Sequence, residues 1–436
     1  MHRSHSVRPM RRNDPKQLSQ FSYPLLLTLF LFLFLALAAN AQHNPRPSIE
    51  ADGWVLTAEV ECGNAERIEH TGDSRFVVAP QSDPVPIEVQ KTGPISNYAI
   101  YLDITNTTSE ARTIEIDVAI PAWLIRDGFD YFLRKPYVIR SPGDLNWVQL
   151  PPDRQSDTED QVHLRIDFGP NERKILSTVA VYPYSDAAAK LSELAARSAG
   201  KARIVEIGKS VEGRPILSLE AGRRGKPRVI FASSLQPGEP GAWAILAMAE
   251  SAVSGTSAPI DELDIAFIPI TNPDGVVRGL CNVNARGEIA LVGFKDAAEG
   301  RAAPQEAKLL WDYLRKQPPV AYVDFHFLRL PNHHKPAVYN FDPDLYSDPA
   351  RRELAVTLRE RLRALSGAPL GSKIGREHPL WPGLVTFNAI VRWNTAASLY
   401  QNTGPETSHH QAQTRGVEVM ETVLNTLREY LPAQPR

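Results

Sequence analysis

Few residues in this chain have the type and position to do chemistry, and they gather just past the ends of apolar runs. Gln236 and Glu239 follow RVIFASS (228–234), with Glu239 opening the helical pattern EPGAWAILAMAESAV (239–253). His326 closes VAYVDFHF (320–327), and Gln401 and Asn402 close AASLYQN (396–402). Open parallel sheets bind ligands at the carboxyl ends of their strands, so these are the positions to inspect. A carboxylate and an imidazole can do acid–base or metal chemistry. Taken singly, Glu239 is a carboxylate favoured at a helix N-terminus by the macrodipole, and His326 is a half-buried histidine with its hydrogen bonds met. Other chemistries are excluded. Two cysteines, Cys62 and Cys281, cannot make a thiolate-rich metal cluster or a disulfide-dense scaffold. Serine hydrolase chemistry lacks a G-x-S-x-G elbow, and a phosphate-binding loop is also missing.

The elements that must position these residues alternate. After a pattern change near Asp186, buried strands at 228–234, 263–270, 320–327 and 396–402 are separated by helical patterns at 239–253, 304–316, 348–365 and 409–431. That alternation predicts an α/β fold with a mixed, largely parallel sheet and flanking helices. Ahead of it, 98–106, 162–169 and 175–184 read as short strands, and Ile114, Ile116, Val118 and Ile120 alternate with Glu115 and Asp117. These short alternating runs predict an antiparallel β-sandwich domain with no cluster of reactive side chains. DAAAKLSELAARSAG predicts a linker helix with Asp186 as its N-cap. The expected organisation is a leader over 1–41, a β-sandwich over 50–185, a linker helix over 186–203 and the α/β domain over 204–433.

The chain has 436 residues, 43% hydrophobic and 22% charged, with 36 prolines, so it is globular and rich in turns. With 48 Lys and Arg against 50 Asp and Glu it has no basic excess, and nucleic-acid binding is not expected. Residues 1–22 carry Arg3, Arg8, Arg11, Arg12 and Lys16 against Asp14; PLLLTLFLFLFLALAA and then Ala39-Asn40-Ala41 follow. Basic flank, apolar centre and small residues at a cleavage site make a secretory signal peptide. The apolar run is short for a bilayer span of about 20 residues, so no stable membrane span is expected after cleavage. Cleavage after Ala41 leaves 43 basic and 49 acidic residues in 395, a formal charge of −6. The protein is expected to be exported, periplasmic or secreted, and Cys62 and Cys281 either pair or remain two buried thiols.

Three segments, in order, carry a family resemblance. IGKSVEGRPILSLEAG (207–222), RVIFASS and LQPGE (235–239) resemble the opening of a zinc carboxypeptidase domain. ITNPDGVVRG (270–279) is similar to that family's second signature, and VDFHF (323–327) to the strand bearing its last metal ligand. The preceding β-domain, ending in VYPYSDAAAKL, is similar to that of the cytosolic-carboxypeptidase-like branch. The resemblance covers most of residues 50–431.

What the resemblance implies about the site is loss. The family's zinc is held by His-x-x-Glu after one strand and a His on a later strand; the matching residues here are Gln236, Glu239 and His326. An amide in place of imidazole costs roughly a hundredfold in zinc affinity, so zinc is expected to be weak or absent. His333 and His334 in LPNHHKP are candidate replacements. The general base falls at Gln401 or Asn402, neither of which accepts a proton near neutral pH; Glu406 is a remote candidate. The carbonyl-polarising Arg falls at Asn282, with Arg286 nearby, and the carboxylate-gripping Asn-Arg pair falls at Leu291 and Val292. The resemblance therefore implies a degenerate, catalytically impaired member: an exported pseudopeptidase that binds a peptide or peptidoglycan fragment. Two alternatives stand beside it: an active or weakly active zinc-dependent metallocarboxypeptidase with a rebuilt site, and a structural or partner-docking module.

Overall fold

The computed structural model describes residues 46–83, 99–126, 130–255, 262–327, 337–366, 369–376, 381–402 and 409–431. The leader, His333, His334 and Glu406 lie outside the described residues. No described helix is long and apolar enough to cross a membrane.

Alternating burial builds the first half. β6 (Arg112–Ala119) turns Ile114, Ile116 and Val118 inward and Glu115 and Asp117 outward, the pattern of a strand with one wet face. It lies in a five-stranded sheet, in order, of β3 (Arg67–Gly72), β4 (Arg75–Ala79), β6, β10 (Gln161–Phe168) and β9 (Gln155–Asp157). The partner sheet runs β1 (Ser48–Ala51), β2 (Trp54–Thr57), β5 (Tyr101–Asn106), β11 (Arg173–Ser177), β7 (Val138–Arg140) and β8 (Val148–Gln149). Trp54, Leu56, Phe76, Ile104, Ile116, Leu164 and Phe168 fill the space between them. One pair departs from the antiparallel rule: β4 runs parallel to β6.

The expected linker helix spans Tyr184–Arg197, but Pro183, extended at φ −61° and ψ 147°, stands at its N-cap. Asp186 sits in the first turn, where its charge meets the macrodipole without capping.

The second half is one eight-stranded sheet in the order β12 (Ala202–Lys209), β13 (Pro215–Gly222), β15 (Asp264–Ile268), β14 (Arg228–Ser233), β16 (Ala321–His326), β19 (Ala396–Gln401), β17 (Ala337–Phe341) and β18 (Pro369–Ile374). Its centre, β15-β14-β16-β19, is parallel, and every residue of those four strands is buried. Helices account for that burial on two fronts. Ala242–Ser254 and Pro349–Ser366 both contact His409–Tyr430, whereas Gln305–Lys316 meets Val385–Trp393 through the stacked rings of Trp311 and Trp393. The larger core cluster also takes in Cys62, Tyr101, Trp147 and Tyr182 from the first half, so Arg46–Arg436 is one compact unit. Cys62 and Cys281 are both buried, and neither is in a disulfide.

Candidate functional site

The carboxyl ends of β14, β15, β16 and β19 meet at one end of the sheet. After β14 the chain reverses through Ser234 in the left-handed region (φ 61°) and enters the helix at Ala242. Gly241 is required there, since a Cβ would lie 2.8 Å from the Phe325 carbonyl oxygen of β16. The helix start therefore sits hard against the strand that carries His326. After β15, Asn272 caps the short helix Pro273–Val277 by accepting from the Gly275 N–H at 3.0 Å. The motif aspartate Asp274 accepts from the Ser210 hydroxyl (2.7 Å), the Glu212 N–H (2.8 Å) and the Arg214 guanidinium (2.7 Å). EGRP and NPDG, which carried the resemblance, thus lock to each other and act as scaffold.

Glu239 and His326 do converge. Glu239 is 3% exposed, and its Oε2 accepts from the Phe327 N–H at 2.6 Å and meets His326 Nδ1 at 3.0 Å. On the far side of the ring, Nε2 lies 3.3 Å from Oδ2 of Asp324, itself 1% exposed. That second contact has ion-pair distance without hydrogen-bond geometry: Nε2 and both Asp324 oxygens lack a hydrogen-bond partner among the described residues. Burial alone would lower the imidazole's pKa; the charges of Asp324 and Glu239 outweigh it and push His326 up to about 10. The two flanking carboxylates thus favour the protonated ring at neutral pH. Burial, with the charge of Glu239 added, also pushes the Tyr339 hydroxyl up to about 12.

The other family positions are tied to one another. Gln236 donates from Nε2 to Asn282 Oδ1 at 2.9 Å. The turn carrying Asn282 is held by Asp83, at the end of a segment leaving the β-sandwich: its Oδ2 accepts from the N–H groups of Asn282 (2.7 Å) and Cys281 (3.1 Å). Two consecutive N–H groups converging on one carboxylate form a small anion nest. Gly238 permits the close approach of the two turns, because a Cβ there would lie 2.8 Å from the Cys281 Sγ. Arg286 is exposed on the next turn, and Leu291 and Val292 pack against the core.

At β19, Gln401 pairs in register with His326, and the Asn402 N–H donates to the His326 carbonyl at 2.8 Å. Register partners in adjacent strands project to the same face, so Gln401 shares the His326 side and Asn402 lies one residue beyond. Both are buried, and the Gln401 Nε2 and both amide atoms of Asn402 have no hydrogen-bond partner among the described residues.

Sequence reasoning missed Asp324, Asp83 and Tyr339. Asp324 had a signal: it is a charged residue inside an apolar strand, two residues before His326 and hence on the same face. Asp83 and Tyr339 had none, being brought in by tertiary contacts.

A catalytic zinc needs three protein ligands around an open position. Two ligand atoms of a tetrahedral zinc stand roughly 3.3 Å apart by geometry, close to the Glu239–His326 spacing. The third corner, however, is an amide already donating to Asn282. No group of three or more His, Cys, Asp or Glu among the described residues is arranged to hold a metal ion. The described donor set therefore does not fit a three-ligand zinc centre.

A family model described as "Zinc carboxypeptidase" matches residues 187–286. No curated protein matches this chain. Among solved structures, a metallo-carboxypeptidase from Burkholderia cenocepacia aligns at TM-score 0.70 and 13% identity over 87% of this chain and 100% of its own. A metallo-carboxypeptidase from Pseudomonas aeruginosa, in complex with (2-guanidinoethylmercapto)succinic acid, aligns at TM-score 0.66 and 16% identity over 86% of this chain and 99% of its own. Coverage of that extent takes in β-sandwich strands as well as the α/β sheet. At these identities the likeness is one of architecture, and this chain has a zinc carboxypeptidase-like fold.

Proposed function

We propose that this protein is an exported, periplasmic or secreted pseudopeptidase that uses a carboxypeptidase-like cleft to bind a peptide or peptidoglycan fragment without hydrolysing it. The observation that carries the reading is that polar groups at the family's working positions are engaged with one another. Gln236 holds Asn282, and His326 is flanked by Glu239 and Asp324. Flanked by Glu239 and Asp324, His326 favours its protonated form, which is no base. Amides at 401 and 402 cannot take a proton from water near neutral pH. The orphaned amide atoms of Asn402 and Gln401 support a binding role, because a ligand's peptide group supplies the donors and acceptors they lack. With Leu291 and Val292 at the carboxylate-clamp positions, the ligand is gripped through its peptide groups instead of a terminal carboxylate. The leader sequence supports export.

The test is elemental analysis of the purified protein together with a C-terminal peptidase assay and thermal shifts with muropeptides. Substoichiometric zinc, no turnover and a raised melting temperature with muropeptide are expected; ligand at 100 times Kd adds about 2.7 kcal/mol. The Gln236→His, Asn402→Glu double variant is expected to gain metal but little turnover, since Asn282, Leu291 and Val292 still lack the clamps. Stoichiometric zinc in the unmodified chain, with hydrolysis abolished by Glu239→Ala, would instead establish a rebuilt metallocarboxypeptidase. No shift with any peptide would leave the docking-module reading.

A further inference from the structure

The end of the sheet opposite the site has a different chemistry. β12, β15, β14, β16 and β19 all run in one direction, because β13 is antiparallel to both β12 and β15 and the others are parallel. Their amino ends, with the carboxyl end of β13, therefore share one edge. Lys201 precedes β12, Arg223, Arg224 and Lys226 form the turn from β13 to β14, and Lys316 ends the helix before β16. The backbone ties these segments together. The Arg223 N–H donates to Leu263, which precedes β15; the Gln317 side chain donates to the Lys226 carbonyl; and the Val320 N–H donates to the Arg228 carbonyl. Adjacent strands are about 4.8 Å apart, so the row from β12 to β16 extends about 19 Å.

Lys201, Arg223, Arg224 and Lys316 are exposed and Lys226 is half-buried, and none has an ion-pair partner among the described residues. The acids nearby are otherwise engaged. Glu220 and Asp264 are buried against Arg203 and Arg228, and Asp312 pairs with Arg315. Glu262 is the exposed acid among the described residues at this edge. Beyond β19 the surface turns mixed, with Asp344 facing Arg352. A helix C-terminus favours Lys316 through the macrodipole, but the Arg223–Lys226 turn is not a helix end and has no such structural reason. Among the described residues, five cations without an ion-pair partner share this edge with one exposed acid, on a chain whose formal charge is −2.

We infer that this edge is a docking surface for the anionic phospholipid headgroups of a membrane. A row of flexible cations suits a sheet of phosphates, each Lys or Arg near such a surface strengthening association about fivefold at physiological ionic strength. The row has no aromatic residue interleaved for stacking bases and no helix offered to a groove, which disfavours nucleic acid. Docking by this edge turns the carboxyl ends of the strands, with Glu239 and His326, away from the bilayer. This surface is separate from the cleft and does not depend on what the cleft binds.

The test is sedimentation of the protein, as its host processes it, with vesicles of mixed phosphatidylglycerol and phosphatidylcholine. Pure phosphatidylcholine vesicles report any contribution of the leader. Binding to the anionic vesicles is expected, weakening steeply between about 0.1 M and 0.5 M salt. The Arg223→Glu, Arg224→Glu, Lys226→Glu variant is expected to bind at least about a hundredfold more weakly with an unchanged melting temperature. Equal binding to both vesicle types, or undiminished binding by that variant, would overturn the inference. Displacement by millimolar inorganic phosphate would show a discrete phosphate site, and tighter binding to a DNA duplex a nucleic-acid surface; either result also overturns it.

Discussion

The two ends of the eight-stranded sheet treat charge in opposite ways. At the carboxyl end Glu239, His326 and Asp324 are at most 4% exposed, and each charge faces another. At the amino end Lys201, Arg223, Arg224 and Lys316 stand in water without an ion partner among the described residues. Desolvation explains the difference. A charge taken out of water must be answered at once, whereas an exposed cation is already solvated and can wait for a partner. The same scaffold therefore holds mutually paired buried charges at one end and an open electrostatic surface at the other.

That contrast can be broken, beginning with its largest consequence. Glu239→Ala would leave an imidazolium and the Phe327 N–H buried beside Asp324 alone, and should cost about 3–5 kcal/mol in urea unfolding. A loss below about 1 kcal/mol would mean that the carboxylate is not answering a buried charge. The pH dependence sharpens the same point. His326 is raised in the folded protein to about 10 against about 6.5 unfolded, so its stabilising contribution is complete below 6.5. It is then lost as pH rises through 10. Stability should fall between pH of about 7 and 10, and His326→Gln should flatten that slope; an equal slope in both proteins would contradict a charged ring.

Smaller effects follow. Asp83→Ala strips acceptors from the buried Cys281 N–H and the half-buried Asn282 N–H, and should cost about 1–3 kcal/mol with faster amide exchange at 281–282. Exchange unchanged there would show that the turn holds itself. At the amino end, Arg224→Ala should shift stability by less than about 0.5 kcal/mol. A loss as large as that of Asp83→Ala would mean that the exposed cation is part of the folded framework after all.

Much of the fold was legible because it rests on local pattern. The alternation Ile114, Ile116, Val118 marked β6, and the apolar runs at 228–234 and 320–327 marked β14 and β16, close to their observed bounds. Other elements were not legible, among them β17, β18 and one helix. β17 and β18 pair through partners distant in sequence, and the helix Val385–Trp393 opens with β-branched Val and Thr, which have low helix propensity. Within the site, Glu239 and His326 were found by their places after strands. Asp83 was invisible because its N–H partners lie 198 and 199 residues away.

The sequence by itself determined the alternation of strand and helix, the side chains at the strand ends, and the absence of imidazole at 236 and of carboxylate at 401 and 402. Those are properties of residue type and short-range periodicity, which one chain carries in full. Only the tertiary structure decided that His326 lies between Glu239 and Asp324, that Gln236 spends its amide on Asn282, and that five cations share one edge. The reason is physical: pairing and desolvation depend on distances between segments far apart in the chain, and only strand order and direction set those distances.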